Sequence, residues 1–423
     1  MILCPKIDVP KQLEFDWVAP DKSLSHRSLI FAFLTQGVSE IENLLDSQDV
    51  RSTLEIAQLL GAKIEQRGER LLISPPHKLP AQAYLQCNNS GTTMRLFAGL
   101  LSGSRGSFTF DGDMSLRRRP MQRIRDPLEQ MGALLSSSNA PFVLEGSETL
   151  RGICFHSSIA SAQIKSAFIL AALQANCESR YSEEELSRDH SERFLSHLGA
   201  QIIQHDKEIL ISPLSHPLPS YHFKIPNDPS SVIYLIVACL ISHQMEIRIS
   251  EVLLNPTRIQ AFEILKQMGA YLSYEITLDG VEPIGVVYAR SSELQAIEIS
   301  SSISWLIDEI PALCIALACA KGVSYIYNAQ ELRFKESDRI ASIVSNLLAL
   351  GIEAEELEDG IKIHGGEFCD GVVQSFGDHR IAMSFALAGV RNQVEIVGSE
   401  CIDISFPRFF DFLKFFVSYK GWK

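Results

Sequence analysis

Long hydrophobic runs are missing from this sequence. The longest, such as Ile233–Ile241 and Ile310–Ala320, fall well short of the roughly 20 apolar residues a bilayer span requires, so no membrane segment is expected. Positive charge is also scarce: 38 Lys and Arg face 51 Asp and Glu, and the net charge of −13 argues against a nucleic-acid surface or an anionic membrane patch. The nine cysteines hold no C-x-x-C pair and read as buried thiols of a reducing compartment, the cytoplasm. The opening MILCPKIDVPK has neither a signal-peptide core nor an Arg/Ser-rich transit composition. No Gly-Lys dipeptide occurs, hence no Walker loop, and G-x-G-x-x-G, H-E-x-x-H and EF-hand patterns are absent. No nucleotide, metal or other cofactor is indicated.

What is present is a globular composition, 46% hydrophobic and 21% charged, in 423 residues. That length predicts two domains of roughly 200 residues. The chain also repeats itself. A helical pattern ending in Gly and followed by a β-like stretch recurs at LLGAKIEQ, QMGALLSS, HLGAQIIQ, QMGAYLSY and ALGIEAEE. The glycines, Gly61, Gly132, Gly199, Gly269 and Gly351, lie roughly 70 to 80 residues apart, and each suits the left-handed residue that ends a helix. Second strand-like runs follow four of them, at Arg70–Ser74, Phe142–Leu144, Glu208–Ser212 and Gly360–His364. A sixth unit would end instead in ISFPRFFDFLKFF, read as a final helix. About six α/β units, three per domain, is the economical reading. The proline-rich stretch before Asp228 marks a boundary, and the segment before Asp21 could join either half.

Helix starts are well marked, and many carry cations. Asn255-Pro256-Thr257 and Asp228-Pro229-Ser230 each combine a cap with a proline at the first helical position. Ser25, Ser161 and Asp378 are further cap candidates. KSLSHR supplies Lys22, Ser23 and Arg27; NNSGTTMR supplies Gly91, Thr92 and Arg95; SLRRRPMQR supplies Arg117, Arg118 and Arg119. SAQIKS adds Ser161, Gln163 and Lys165, SRDHSER adds Arg188 and His190, and FGDHR adds His379 and Arg380. ELRFKESDR packs six ionisable groups before an amphipathic helical pattern, and on a helix Lys335 and Arg339 would share a face with Glu336 one step round. Helix N-termini with adjacent Lys, Arg and Ser form phosphate or carboxylate sites, so an acidic protein with this pattern is expected to bind small, multiply charged anions. Each motif alone would serve equally as a structural cap or a solvated face. Asp308 and Glu309 stand at the edge of an apolar segment, suited to a general base or, as readily, to a helix cap.

In order along the chain, KSLSHR, NNSGTTMR, RRRPM, SAQIKSA, SRDHSER, DPSS, NPTR, IDEIPAL, ELRFKESDR, GDHRIAM and SFPRFF resemble the 5-enolpyruvylshikimate-3-phosphate synthase family, from about Lys22 to Phe410. The resemblance implies an α/β, two-domain enolpyruvyl transferase fold, each domain holding three βαβαββ-type repeats as an inside-out α/β barrel. One domain would span 21–227 and the other 1–20 plus 228–423, with the active site in the interdomain cleft. It implies transfer of enolpyruvyl from phosphoenolpyruvate to the 5-hydroxyl of shikimate 3-phosphate, releasing phosphate on the route to chorismate and the aromatic amino acids. A cytoplasmic monomer acting on these two small molecules is expected, with no nucleic acid, membrane, metal or cofactor involved.

Carried over by resemblance, Lys22, Ser23, Arg27, Ser161, Ala162, Gln163, Arg188, Asp308 and Lys335 would hold shikimate 3-phosphate. Lys22, Gly91, Arg119, Gln163, Arg339 and Arg380 would hold phosphoenolpyruvate. Asp308 would be the base at the 5-hydroxyl and Glu336 an acid for the methylene carbon, with Lys22 counted among the catalytic groups. Which acid donates in each half-reaction stays open.

The sequence departs from many members where a lysine near the last motif is Ile404, and Leu96 stands where many glyphosate-sensitive members have proline. Gly91 nevertheless matches sensitive members, while SAQ and SRDH resemble a second bacterial subgroup. The sister transferase acting on UDP-N-acetylglucosamine places a Cys in the stretch equivalent to Asp113–Met121, which here has none. An inactive binding module would be expected to have lost Asp308, Glu336 or the arginines.

Overall fold

A computed structural model describes residues 1–6 and 11–420; part of the MILCPKIDVPK opening lies outside them. The chain divides into two compact units, Lys22–Ile225, and Met1–Asp21 with Pro226–Lys423. Each holds three four-stranded sheets of one pattern, a parallel pair followed by two antiparallel neighbours. In Lys22–Ile225, for example, strand Gln82–Gln86 lies parallel to Ser107–Asp111, which pairs antiparallel with Phe142–Glu145 and then Leu134–Leu135.

The repeat glycines explain the recurrence. Gly61, Gly132, Gly199, Gly269 and Gly351 all adopt positive φ, between 79° and 116°, and turn the chain from helix into the antiparallel hairpin that follows. The anticipated second strands form at Arg70–Ser74, Phe142–Glu145, Glu208–Ile211 and Ile361–His364. A sixth unit exists without the signature because its hairpin is not contiguous. Strand Val394–Val397 pairs with Ile2–Pro5 from the chain start, which pairs with Val417–Lys420 from the end. The expected final helix is correspondingly broken: a 3-10 turn Ser399–Ile404, then only Phe409–Leu413 as α-helix.

Within each unit the sheets surround helices that are buried on nearly every side, and Ala162–Ala172, Pro229–Ile241 and Ile310–Ala318 are apolar nearly all round. Helices Lys22–Phe31, Gly91–Ser102 and Ala162–Ala172 fill Lys22–Ile225; Pro229–Ile241, Ile310–Ala318 and His379–Ala386 fill the other unit. Helix hydrophobicity all round is the mark of a buried helix. Gly99 lets two of them approach closely, since a Cβ there would lie 2.2 Å from the Ala167 carbonyl oxygen. Amphipathic helices such as Gln48–Leu59 and Arg339–Ala349 bury one face, which carries polar residues such as Thr53, Arg339 and Asn346 beside the apolar ones. In Lys22–Ile225 the less buried residues of these helices, Lys22, Ser23, Thr92, Arg95, Ala162 and Gln163, lie in or next to the first turns.

Several helix starts differ from expectation. Asp228 caps Pro229–Ile241 through Ser230 N, and Asp378 caps His379–Ala386 through Arg380 N, as expected. Ser25 does not cap: its helix already begins at Lys22, and its hydroxyl accepts from Leu45 N. Asn255 accepts from Thr257 N in a preceding turn, so that helix starts only at Gln260. Ser161 occupies a cap position without a side-chain capping bond. Asp338 caps helix Arg339–Ala349 and interrupts the charged motif, leaving Lys335 in extended backbone after the 3-10 turn Gln330–Phe334. Lys335 and Arg339 therefore do not share a helical face.

Candidate active site

In Lys22–Ile225 the candidate groups gather at the starts of the buried helices. Lys22 and Ser23 open the first, and Lys22 Nζ lies 3.2 Å from Asp49 Oδ2. One turn on, Arg27 is buried and donates to Ser191 Oγ (2.9 Å), Ser166 Oγ (2.7 Å) and the Ser23 carbonyl (3.2 Å). Ser161, Ala162 and Gln163 form the start of Ala162–Ala172. Gln163 accepts from Arg95 Nη1 and donates to Thr92 Oγ1 at 2.9 Å. Gly91 begins its helix after the Ser90 cap, and Arg119 donates to Asn89 Oδ1 at 2.9 Å. A Cβ on Gly91 would lie 2.7 Å from Arg95 Nη1 and 3.5 Å from Arg119 Nη1, so Gly91, Arg95, Arg119 and Gln163 form one neighbourhood. Arg188 is buried just ahead of helix His190–His197.

Some motif cations are already committed. Lys165 is 1% exposed and lies between Glu183 (3.2 Å) and Glu192 (2.7 Å), donating also to the Ser187 carbonyl (2.9 Å). Burial works against its charge, but Glu192 and Glu183 outweigh this and hold its pKa above the usual lysine value. It is a buried ion-pair centre rather than an anion ligand. Arg117 is forked onto Asp111 at 2.8 and 2.7 Å, leaving Arg119 as the arginine of the triplet beside Gly91.

In the other unit the centre is Arg339, the first residue of its helix and 2% exposed. Three carboxylates surround it: Asp378 at 2.8 Å, Glu336 at 2.8 Å and Asp308 at 3.7 Å. A cation at the positive end of a helix is unfavourable by itself, and these carboxylates supply the compensation. Desolvation opposes the Arg339 charge, yet Asp378 and Glu336 hold its pKa above the ordinary arginine range. Asp308 sits in the turn between Ile303–Leu306 and Ile310–Ala318 with its side chain 28% exposed, so it can meet a ligand. Burial lowers the pKa of half-buried Lys335, with Asp308 opposing the shift and Arg339 adding to it. Arg380 is buried and donates to the Ser230 carbonyl at 2.9 Å. Ile404 ends its 3-10 turn, and Arg408 is occupied by Asp411 (2.9 Å) and the Trp17 ring (4.5 Å).

Nothing in the sequence marks Asp49 as the partner of Lys22, or Asp378 as an ion-pair partner of Arg339 beside its place as a helix cap in FGDHR. No spacing signal joins residues so far apart in the chain. Arg95 was noted in its motif, but its bond to Gln163 is visible only in three dimensions. As for metals, Glu40, Glu42 and His222 have ligand spacing among the described residues, but Arg70 already sits 2.7 and 2.9 Å from the two carboxylates.

A family model described as EPSP synthase (3-phosphoshikimate 1-carboxyvinyltransferase) matches residues 16–413. A 3-phosphoshikimate 1-carboxyvinyltransferase from Nitratiruptor sp. is 46% identical over 411 residues, covering 95% of each chain. One from Helicobacter pylori is 48% identical over 414 residues, 94% of this chain and 96% of its own. Among solved structures, an EPSP synthase from Acinetobacter baumannii superposes with a TM-score of 0.87 at 35% identity, covering 99% of both chains. An enolpyruvyl transferase from Streptomyces tendae shares the fold, with a TM-score of 0.75 at 16% identity over 100% of this chain and 99% of its own.

Proposed function

The chain belongs to the EPSP synthase family, and on that premise we propose that it transfers the enolpyruvyl group of phosphoenolpyruvate to the 5-hydroxyl of shikimate 3-phosphate. The observation that carries this reading is the Arg339 cluster. One buried guanidinium holds Asp308 and Glu336, the base and the acid that the reaction needs, around a single cation. Addition to the enol requires a proton at the methylene carbon and removal of one from the attacking hydroxyl. Loss of phosphate from the adduct then requires the methyl carbon to give its proton back. Fixed cations must hold phosphate and carboxylate throughout, which Arg339 and Arg380 suit because their buried partners cost no reorganisation during reaction.

In this reading Lys22, Ser23, Arg27, Ser161, Ala162, Gln163 and Arg188 hold shikimate 3-phosphate, joined by Asp308 and Lys335. Lys22, Gly91, Arg119, Gln163, Arg339 and Arg380 hold phosphoenolpyruvate, and Lys22 also assists the chemistry. The enzyme works as a cytoplasmic monomer. The lack of a Cys in Asp113–Met121 speaks against the UDP-N-acetylglucosamine acceptor. Mass analysis of products tests the reading. Shikimate 3-phosphate should gain an enolpyruvyl group, and a product formed only with UDP-N-acetylglucosamine would refute it.

Gly91→Ala should discriminate between ligands. The added methyl meets Arg95 first, at 2.7 Å, so it must displace the guanidinium that holds Gln163. A glyphosate-like inhibitor, larger than phosphoenolpyruvate, should lose more affinity than the substrate loses in KM. Equal losses in inhibition and substrate titrations would show that the methyl acts only through Arg95.

A further inference from the structure

Two sequence motifs, DPSS and NPTR, have no role in the reaction as assigned above, yet together they enclose a fully buried charge cluster. Arg258, the last residue of NPTR, is 2% exposed. Its Nη1 donates to Asp21 Oδ2 at 2.5 Å, and its Nη2 donates to Asp228 Oδ1 at 2.7 Å and to Ser230 Oγ at 2.9 Å. Asp21 ends the first segment of this unit, and Asp228 stands near the start of the second. The backbone joins the same two segments, through Asp21 N to the Pro226 carbonyl and Asp228 N to the Ala19 carbonyl, both at 2.8 Å.

A staple between these segments would need only the two carboxylates. The third bond, to Ser230, leads elsewhere. The Ser230 hydroxyl donates in turn to Glu309 Oε1, and the Ser230 carbonyl accepts from Arg380 Nη1 at 2.9 Å. Glu309 is 1% exposed and directly follows Asp308. Arg258 is therefore one residue removed from a phosphoenolpyruvate cation on one side and from the neighbour of the base on the other.

We propose that Arg258 is a positioning residue for the transfer reaction: by fixing Ser230 it sets the direction of Arg380 and, through Glu309, the placement of Asp308. The inference rests on the roles given above to Arg380 and Asp308. Arg258 touches neither substrate; its effect passes through bonds that are already formed and buried.

Two variants separate positioning from stapling. Ser230→Ala deletes the hydroxyl relay but leaves both Arg258 ion pairs and the Asp228 cap on the backbone. Arg258→Lys keeps the charge but cannot reach all three partners, because an ammonium lacks the planar fork. In either variant kcat/KM for phosphoenolpyruvate should fall about ten- to a hundredfold, the scale of a hydrogen bond to a charged group. Shikimate 3-phosphate affinity should stay within about twofold, since seven of the nine residues assigned to it lie in Lys22–Ile225. Circular dichroism melts run beside the kinetics confirm folding, and if Arg258→Lys does not fold, Ser230→Ala decides alone. A folded Ser230→Ala with wild-type kcat and KM, whatever its Tm, overturns the inference while leaving the functional reading intact. An inactive wild-type enzyme would instead overturn the functional reading, and this inference with it.

Discussion

Asp308→Ala should leave both substrates bound yet cut turnover by roughly 10²–10⁴-fold, the contribution typical of a general acid or base. The binding half of this expectation follows from geometry. The cations assigned to the anionic groups keep other partners: Arg339 keeps Asp378 and Glu336 at 2.8 Å, and Arg380 keeps the Ser230 carbonyl. Of the three carboxylate contacts of Arg339, the one lost is the longest, at 3.7 Å. Glu336→Gln is the companion variant. It preserves shape and an acceptor for Arg339 but removes the transferable proton, so deuterium entry into the methylene carbon should slow along with turnover. Binding titrations for both substrates, beside the kinetics, make the distinction. If Asp308→Ala abolished shikimate 3-phosphate binding while kcat at saturation stayed near wild type, Asp308 would serve only to hold the substrate, and its assignment as the base would be lost.

Lys165→Met should have the largest effect on stability. It removes one ammonium and leaves Glu183 and Glu192, both nearly sealed from water, without their shared counter-charge. Breaking a buried pair in this way costs about 3–5 kcal/mol, which for a unit of this size lowers the melting temperature by roughly 6–20 °C. The pH dependence gives a second readout. The folded pKa of Lys165 is raised, so its contribution is present below the unfolded lysine value of about 10.4 and is lost as pH rises through the folded value. The stability gap between wild type and variant should therefore be wide at neutral pH and narrow in strong alkali, and it should narrow in acid as well, where Glu192, whose carboxyl burial holds above the usual range, takes up its proton. A melting temperature within about 2 °C of wild type, which corresponds to less than about 1 kcal/mol, would mean that the two glutamates are neutral in the folded protein.

These two residues also show what could and could not be read in the sequence. Lys165 stands two residues from Gln163 in a motif rich in candidate site residues, and no local feature distinguishes it from a ligand. Its partners Glu183 and Glu192 arrive from a strand end and another helix, so the folded unit alone reveals that its charge is spent. The same limit applied to ELRFKESDR. Continuous helical spacing put Lys335 and Arg339 on one face, but Asp338 caps the helix and breaks the register. Local rules did succeed where one residue determines the backbone. All five repeat glycines have the positive φ that their place after a helix demanded. The sixth repeat was hidden because its strands come from opposite ends of the chain. The reaction class was legible because many short motifs, each weak alone, stand in one order along the chain.

The most direct test of the account is phosphate release measured with each substrate alone and with both. Transfer of the enolpyruvyl group expels phosphate only when the acceptor hydroxyl attacks. Release should therefore be absent with phosphoenolpyruvate or shikimate 3-phosphate alone, and should match the enolpyruvyl product one for one when both are present. Phosphate released at the same rate from either substrate alone would describe a hydrolase, and would contradict the proposed transfer.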